Sequence, residues 1–113
     1  MFVKAHNSLS HLLPHSLRSA GFLPITINAL TSLTKLDLQR NSLSGALPLL
    51  DNSHELKYLY LNDNNFSGSV PSTYSNFSSL VWLDLNSNSL SGALPIFSNF
   101  ESLQYFDLSS NSL

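Results

Sequence analysis

Aromatic and acidic side chains recur in this chain at a nearly constant spacing and could support noncovalent recognition. Tyr58, Trp82 and Tyr105 follow one another at almost equal intervals. Rings with polar tips supply much of the binding energy at protein interfaces, and nearby carboxylates can hold cations or hydrogen-bond donors. The residues of this pattern fall into two series, which are Lys35, Tyr58, Trp82 and Tyr105, and Asp37, Tyr60, Asp84 and Asp107.

Catalytic and metal chemistry find little support in the residue pattern. His11 and His15 could share a helix face and hold a metal, but no third ligand lies near them. Asp84 and Asp107 could be paired acids for hydrolysis, yet both recur as part of a repeated motif. The chain contains no G-x-S-x-G motif, which would place a nucleophilic serine. The sequence therefore predicts no catalytic residue, no metal site and no cofactor.

The recurring residues belong to a sequence repeat of nearly constant length. LTKLDLQRNSLSGALP spans 33–48, LKYLYLNDNNFSGSVP spans 56–71 and LVWLDLNSNSLSGALP spans 80–95. A further copy, LQYFDLSSNSL, spans 103–113. All four copies fit L-x-x-L-x-L-x-x-N-x-L, with Phe66 and Phe106 in place of Leu.

Each x-L-x-L-x segment should form a short strand, and successive strands should stack into a parallel sheet. Because side chains alternate between the two faces of a strand, the leucines should point inward and the x residues outward. Tyr58, Trp82 and Tyr105, which we call the aromatic column, should then form a continuous ledge on the concave face. The strands are predicted near residues 35–39, 58–62, 82–86 and 105–109.

Two further positions of the repeat have structural interpretations. The asparagines should form a ladder that satisfies turn backbone, because a buried Asn can both donate and accept hydrogen bonds. Leu30, Phe77 and Phe100 should form an apolar spine on the convex side, thin at Ser53. The ladder residues are Asn41, Asn64, Asn88 and Asn111.

The extended motif N-x-L-S-G-x-[LI]-P, followed by x-x-x-N-F-x-S-L, resembles the plant-specific class of leucine-rich repeats. That class builds the ectodomains of plant receptor-like kinases and receptor-like proteins. Segments such as LTSLTKLDLQRNSLSGALP and NFESLQYFDLSSNSL are similar to the transmembrane-kinase and phytosulfokine-receptor groups. The resemblance implies an α/β solenoid, a right-handed superhelix with short parallel strands on its concave face. Its convex segments should be mostly irregular or 3₁₀.

The N-terminal part fits the repeat less well. Residues 33–113 should comprise three complete leucine-rich repeats and one truncated repeat, and residues 1–32 a degenerate one. The favoured register matches Leu12 with Leu36 and Gly21 with Gly45. An alternative register matches Asn7 with Asn41.

Composition excludes several classes of protein. The net charge is −2, and charged residues make up only 11% of the chain, so a nucleic-acid surface is not expected. There is no cysteine, which excludes disulfides and thiolate metal sites. No apolar run is long enough to span a membrane, and the N-terminus has no continuous apolar region typical of a signal peptide.

The resemblance implies a binding segment of a cell-surface receptor involved in signalling, with a peptide, a small ligand or a co-receptor on the concave face. The parent would lie at the extracellular face of the plasma membrane and could be a serine/threonine kinase, although this chain has no kinase motif. The alternatives are a secreted inhibitor similar to polygalacturonase-inhibiting proteins and a non-functional receptor fragment. Sequons at Asn65 and Asn76 are candidate glycosylation sites.

Overall fold

The protein, described here from a computed structural model, is a solenoid whose successive turns contribute one strand each to a parallel sheet. The structure describes residues 2–4, 21–23 and 25–113. The strands of this sheet are β1 Phe2–Lys4, β2 Lys35–Asp37, β4 Tyr58–Tyr60, β6 Trp82–Asp84 and β8 Tyr105–Asp107. They lie in the order β1-β2-β4-β6-β8, and each pairs with its neighbour in parallel. The parallel solenoid predicted from the repeat is therefore confirmed.

These strands are shorter than the sequence predicts, since the structure ends each of them after its third residue. Backbone pairing nevertheless continues past the end of β2, because Leu38 N donates to Tyr60 O at 2.9 Å and Arg40 N to Asn62 O at 3.0 Å. The chain then turns at Arg40, whose φ of 54° is left-handed. Asp63, Ser87 and Ser110 occupy the same place with φ of 55°, 53° and 54°.

A second parallel sheet, which the sequence does not predict, follows the first. It has three strands, β3 Ser44–Ala46, β5 Asn65–Gly68 and β7 Ser89–Leu90, in the order β3-β5-β7. From the Ser-Gly pair of each repeat, the sequence predicts only a bend. In the structure, the residues around this pair also form backbone hydrogen bonds with the neighbouring turn. Gly45 and Gly68 have φ of 84° and 78°, so the bend requires a left-handed residue that glycine adopts without strain.

The convex side varies with the length of the segment between each Pro and the next lead Leu. The longer segments, 25–32 and 72–79, contain the 3₁₀ helices Ile25–Ala29 and Ser72–Asn76. Segments 49–55 and 96–102 are one residue shorter and have no helix. In 49–55 the chain instead turns at Leu50, with φ of 56°.

The core lies between the two faces and consists mainly of the inward leucines of each strand. Leu36, Leu59 and Leu83 are fully buried, as the alternation predicts. A second buried row, which the repeat pattern does not reveal, lies on the convex side and contains Ile27, Leu50 and Tyr74. Burial falls away in the last turn, where Phe106 is 42% exposed.

The predicted apolar spine is buried at its middle residue, Phe77. At Ser53, where the spine lacks an apolar side chain, a hydrogen bond takes its place. Phe77 is buried, whereas Leu30 and Phe100 are partly buried. At the thin position the hydroxyl of Ser53, itself buried, donates to Leu30 O at 2.9 Å. A hydrogen bond thus replaces apolar contact there.

The favoured N-terminal register is wrong at the strand. Val3, not Leu12, pairs with Leu36, because β1 lies nearer the start of the chain than that register places it. The Gly21 part of the register agrees with the structure, since Gly21 O accepts from Ser44 N as Gly68 O accepts from Ser91 N. Leu12, Asn7 and the histidines at 11 and 15 lie outside the described residues.

Candidate ligand-binding face

The two predicted series lie side by side on the concave face of the five-stranded sheet. Lys35, Tyr58, Trp82 and Tyr105 are register partners along one line, and Asp37, Tyr60, Asp84 and Asp107 along the next. The residue between the two lines is Leu36, Leu59, Leu83 or Phe106. Of these four, the leucines are fully buried. The two series therefore share the opposite, concave face.

The ring contacts differ from the predicted aromatic column. Trp82 stacks on Tyr105, with ring centroids 3.8 Å apart and planes at 9°. On its other side Trp82 meets Tyr60, at 5.8 Å and 38°, and not Tyr58. We call Tyr60, Trp82 and Tyr105 the aromatic stack. The contact crosses from one series to the other, and Tyr58 is left 37% exposed.

Lys35 extends the aromatic stack by a cation–π contact. Its Nζ lies 4.8 Å from the centroid of the Tyr60 ring and 3.9 Å from Asp37 Oδ2. A cation over a ring face is attracted by the negative face of the π system, and the nearby carboxylate adds charge attraction. The concave face thus holds an ammonium group between a ring and a carboxylate.

Asp84 and Asp107 are joined by Asn86. Asn86 Nδ2 donates to Asp84 Oδ1 at 2.8 Å and to Asp107 Oδ2 at 3.2 Å. The Tyr105 hydroxyl also donates to Asp107 Oδ2 at 3.2 Å, and Ser109 N donates to Oδ1 at 2.8 Å. These bonds hold the two carboxylates beside the aromatic stack.

The two carboxyl groups differ in acidity although they are neighbours. Burial raises the pKa of Asp84, and the charge of Asp107 raises it further against the hydrogen bonds from Asn86. The hydrogen bond from Ser109 N lowers the pKa of Asp107. Burial also raises the pKa of the Tyr60 hydroxyl, with the charge of Asp37 adding to the effect.

Several polar atoms on this face are buried without a hydrogen-bond partner among the described residues. They are Asp37 Oδ1, Asn62 Oδ1 and Trp82 Nε1. Leaving such a group unsatisfied costs about 1–3 kcal/mol. Unpaired buried groups are uncommon in native proteins and call for an explanation.

The asparagine ladder links each turn to the one before it. Asn64 Nδ2 donates to Leu61 O and Asn62 O in its own turn and to Leu38 O in the preceding repeat, at 2.9–3.2 Å. Its Oδ1 accepts from Leu43 N at 3.0 Å. Asn88 and Asn111 repeat this arrangement, and Asn41 Nδ2 donates to Leu38 O and Gln39 O.

The candidate glycosylation sites lie away from the concave strands. Asn65 is exposed in β5, and Asn76 is exposed at the end of the second 3₁₀ helix. Within the part of the chain that the structure describes, no three potential ligands among His, Cys, Asp and Glu come together in a metal-binding arrangement. Nor does any helix of the described residues have the length and hydrophobicity needed to cross a membrane.

A parallel solenoid whose turns each contribute a short strand and a ladder asparagine is the architecture of leucine-rich repeat proteins. The leucine-rich repeat family models match this chain over residues 54–113 and 32–52. The chain belongs to the leucine-rich repeat family, and it resembles segments of plant receptor-kinase ectodomains.

Receptor kinases are among its relatives. The chain is 38% identical to the receptor-like kinase TMK2 of Arabidopsis thaliana over 69 residues, which are 59% of the chain and 8% of TMK2. An inactive leucine-rich repeat receptor-like serine/threonine-protein kinase of the same plant is 52% identical over 42 residues. That match covers 37% of the chain and 6% of the kinase. The chain therefore spans only a small part of the relatives it matches.

Solved receptor structures share the fold. The TDR receptor has a TM-score of 0.76 and 42% identity, covering 79% of this chain and 16% of the receptor. The plant peptide hormone receptor RGFR1, solved in complex with RGF2, has a TM-score of 0.77 and 41% identity, covering 81% and 15%. These values confirm the leucine-rich repeat solenoid.

Proposed function

We propose that this chain is a binding segment of an extracellular plant receptor, and that its concave face binds a polypeptide, either a peptide or a co-receptor. The observation that carries the proposal is the aromatic stack, three half-buried rings in contact on the solvated face of the sheet. Half-buried aromatics with polar atoms are common anchors of interface energy.

The likeness to receptors of known partners supports a polypeptide ligand. RGFR1 was solved with RGF2, and the HAESA ectodomain with an extended IDA peptide hormone ligand. BIR3 was solved in complex with SERK2. The matched segments are leucine-rich repeats without kinase sequence motifs, so we assign this chain recognition and no catalysis, with signalling left to the rest of a receptor.

The position of the sequons agrees with an extracellular location. Glycans on Asn65 and Asn76 would project from exposed positions outside the concave strands, so they would leave the aromatic stack accessible. Expression in plant cells with a secretion leader should give a mass that falls on enzymatic deglycosylation. Asn76→Gln should remove part of that mass, and an unmodified product would contradict this part of the proposal.

The test uses random peptides displayed on phage and selected against the whole chain. Binding of the selected peptides is then measured by calorimetry for Trp82→Ala and for Trp82→Phe. We expect Trp82→Ala to weaken binding by about 2 kcal/mol, roughly thirtyfold, because truncating a central aromatic anchor has an effect of that size. Trp82→Phe should retain most of the affinity.

A buried convex residue supplies the matched control. Phe77→Ala should bind the selected peptides normally at temperatures where it stays folded, because Phe77 comes from the convex side and is buried in the core, off the concave surface. Selected peptides that bind Trp82→Ala as well as the unaltered chain would overturn the proposal.

A further inference from the structure

The concave face has more carboxylates than cations among its described residues. Asp37, Asp84 and Asp107 belong to these two series together with Lys35, and β1 adds Lys4 as the register partner of Asp37. Lys35 pairs with Asp37, and the other ion pair of the described residues joins Arg40 to Asp63. Neither pair involves Asp84 or Asp107, which lie on neighbouring strands.

One carboxylate oxygen of Asp84 receives no hydrogen bond from the described residues. The residue is 8% exposed, and its Oδ1 accepts both hydrogen bonds that it receives from Asn86. Its Oδ2 receives none from the described residues. This oxygen is not one of the fully buried unsatisfied atoms of the face, so a donor or a cation of a ligand can reach it.

Two orphan atoms elsewhere on this face have the same chemical character. Asp37 Oδ1 and Asn62 Oδ1 are buried hydrogen-bond acceptors without a partner among the described residues. Because these two atoms are enclosed, the accessible Oδ2 of Asp84 is the acceptor that carries the argument, and a ligand that meets it must present a donor. Arginine and lysine side chains carry donors only, together with a positive charge.

Lys35 shows within the chain how such a group is held. Its ammonium lies between the Asp37 carboxylate and the Tyr60 ring. Asp84 and Asp107 repeat this combination of carboxylate and aromatic ring two strands further along, beside Trp82 and Tyr105. A cation bound at these carboxylates would lie beside the stacked rings of Trp82 and Tyr105.

We infer that Asp84, Asp107 and the aromatic stack bind a basic side chain, arginine or lysine, of an extended polypeptide ligand. This inference rests on the proposed function and adds the chemical class of the anchoring group. A planar guanidinium suits the site, because it can donate to both carboxylates while its face or edge meets the rings. A bound cation would also compensate the negative charge that burial disfavours at Asp84.

The experiment uses two capped peptides, acetyl-Gly-Gly-Arg-Gly-Gly-amide and the same peptide with citrulline in place of arginine. Citrulline keeps the shape of arginine but has no charge. Trp82 is the only tryptophan of the chain, so its fluorescence reports binding at this site. At low salt we expect the arginine peptide to bind with a Kd about tenfold lower than that of the citrulline peptide.

Variants locate the charge effect. Asp84→Asn together with Asp107→Asn should abolish the preference for arginine, whereas Asp51→Asn, an exposed acid on the convex side, should preserve it. Equal affinity for the two peptides, or a preference that survives in the double variant, would overturn the inference while peptide binding itself stands. No change in Trp82 emission with either peptide would also overturn it, and the phage-selected peptides then decide the proposed function separately.

Discussion

Tyr74 on the convex side and Trp82 on the concave side are both large rings with a polar atom, and they are used differently. Tyr74 is fully buried against Phe77, and its hydroxyl donates to Pro48 O at 2.7 Å. Trp82 is half-buried, and its Nε1 has no partner among the described residues. The convex ring has satisfied its hydrogen-bonding capacity within the fold, whereas the concave ring has not. This difference separates a residue that stabilises the solenoid from one that we propose for ligand binding.

The largest loss of stability should come from truncating a buried side chain on the convex side. Phe77→Ala should lower the free energy of unfolding by about 3–5 kcal/mol, because it leaves a cavity in a closely packed row. Chemical denaturation of both variants measures the contrast, with Trp82→Ala expected to cost much less. Equal destabilisation by the two substitutions would remove the distinction between the faces.

The asparagine ladder lies between the two faces and should matter to both. Asn64→Ala should destabilise the chain by up to about 3 kcal/mol, because it leaves Leu43 N without its buried acceptor, whereas Leu38 O keeps the hydrogen bond from Asn41 Nδ2. Asn99→Ala, at an exposed position, is the control and should have little effect. A normal melting temperature for Asn64→Ala would show that water replaces the ladder.

A smaller substitution tests the hydroxyl group of Tyr74 separately from its ring. Tyr74→Phe keeps the ring but leaves Pro48 O unpaired, so we expect a loss of about 1–3 kcal/mol in unfolding free energy. Tyr58→Phe, at an exposed concave position, should be neutral. If both variants unfold alike, the Tyr74 hydroxyl is not structural.

The smallest effects concern pH and have opposite signs. The pKa of Asp84 is raised in the folded state, so stability should fall as pH rises from the unfolded-state pKa through the folded one. The pKa of Asp107 is lowered, so its contribution should be lost as pH falls from the unfolded-state pKa through the folded one. Asp84→Asn should therefore raise the melting temperature at neutral pH, and Asp107→Asn should lower it. Thermal scans at several acidic pH values check both signs, and shifts of the same sign would contradict the assignment.

The sequence predicts the strands well because the Leu spacing and the alternation of side chains fix which of them face the core. It fails where contacts depend on side-chain direction or on pairing between turns. The Tyr60–Trp82 contact crosses two series, so no single column of the repeat could reveal it. The second sheet forms from Ser, Gly and Asn, residues with low strand propensity, because neighbouring turns already hold these segments side by side. The binding role of the concave residues stays a prediction.

The convex segments differ by one residue, and this has a consequence for how the chain can change length. The step from Tyr58 to Trp82 is one residue longer than the steps before and after it, yet Lys35, Tyr58, Trp82 and Tyr105 are all direct register partners. The additional residue is accommodated in a 3₁₀ helix, and its absence by a turn at Leu50. Insertions and deletions on the convex side should therefore be tolerated without displacing the concave residues, whereas the same change inside a strand would turn its concave side chains into the core.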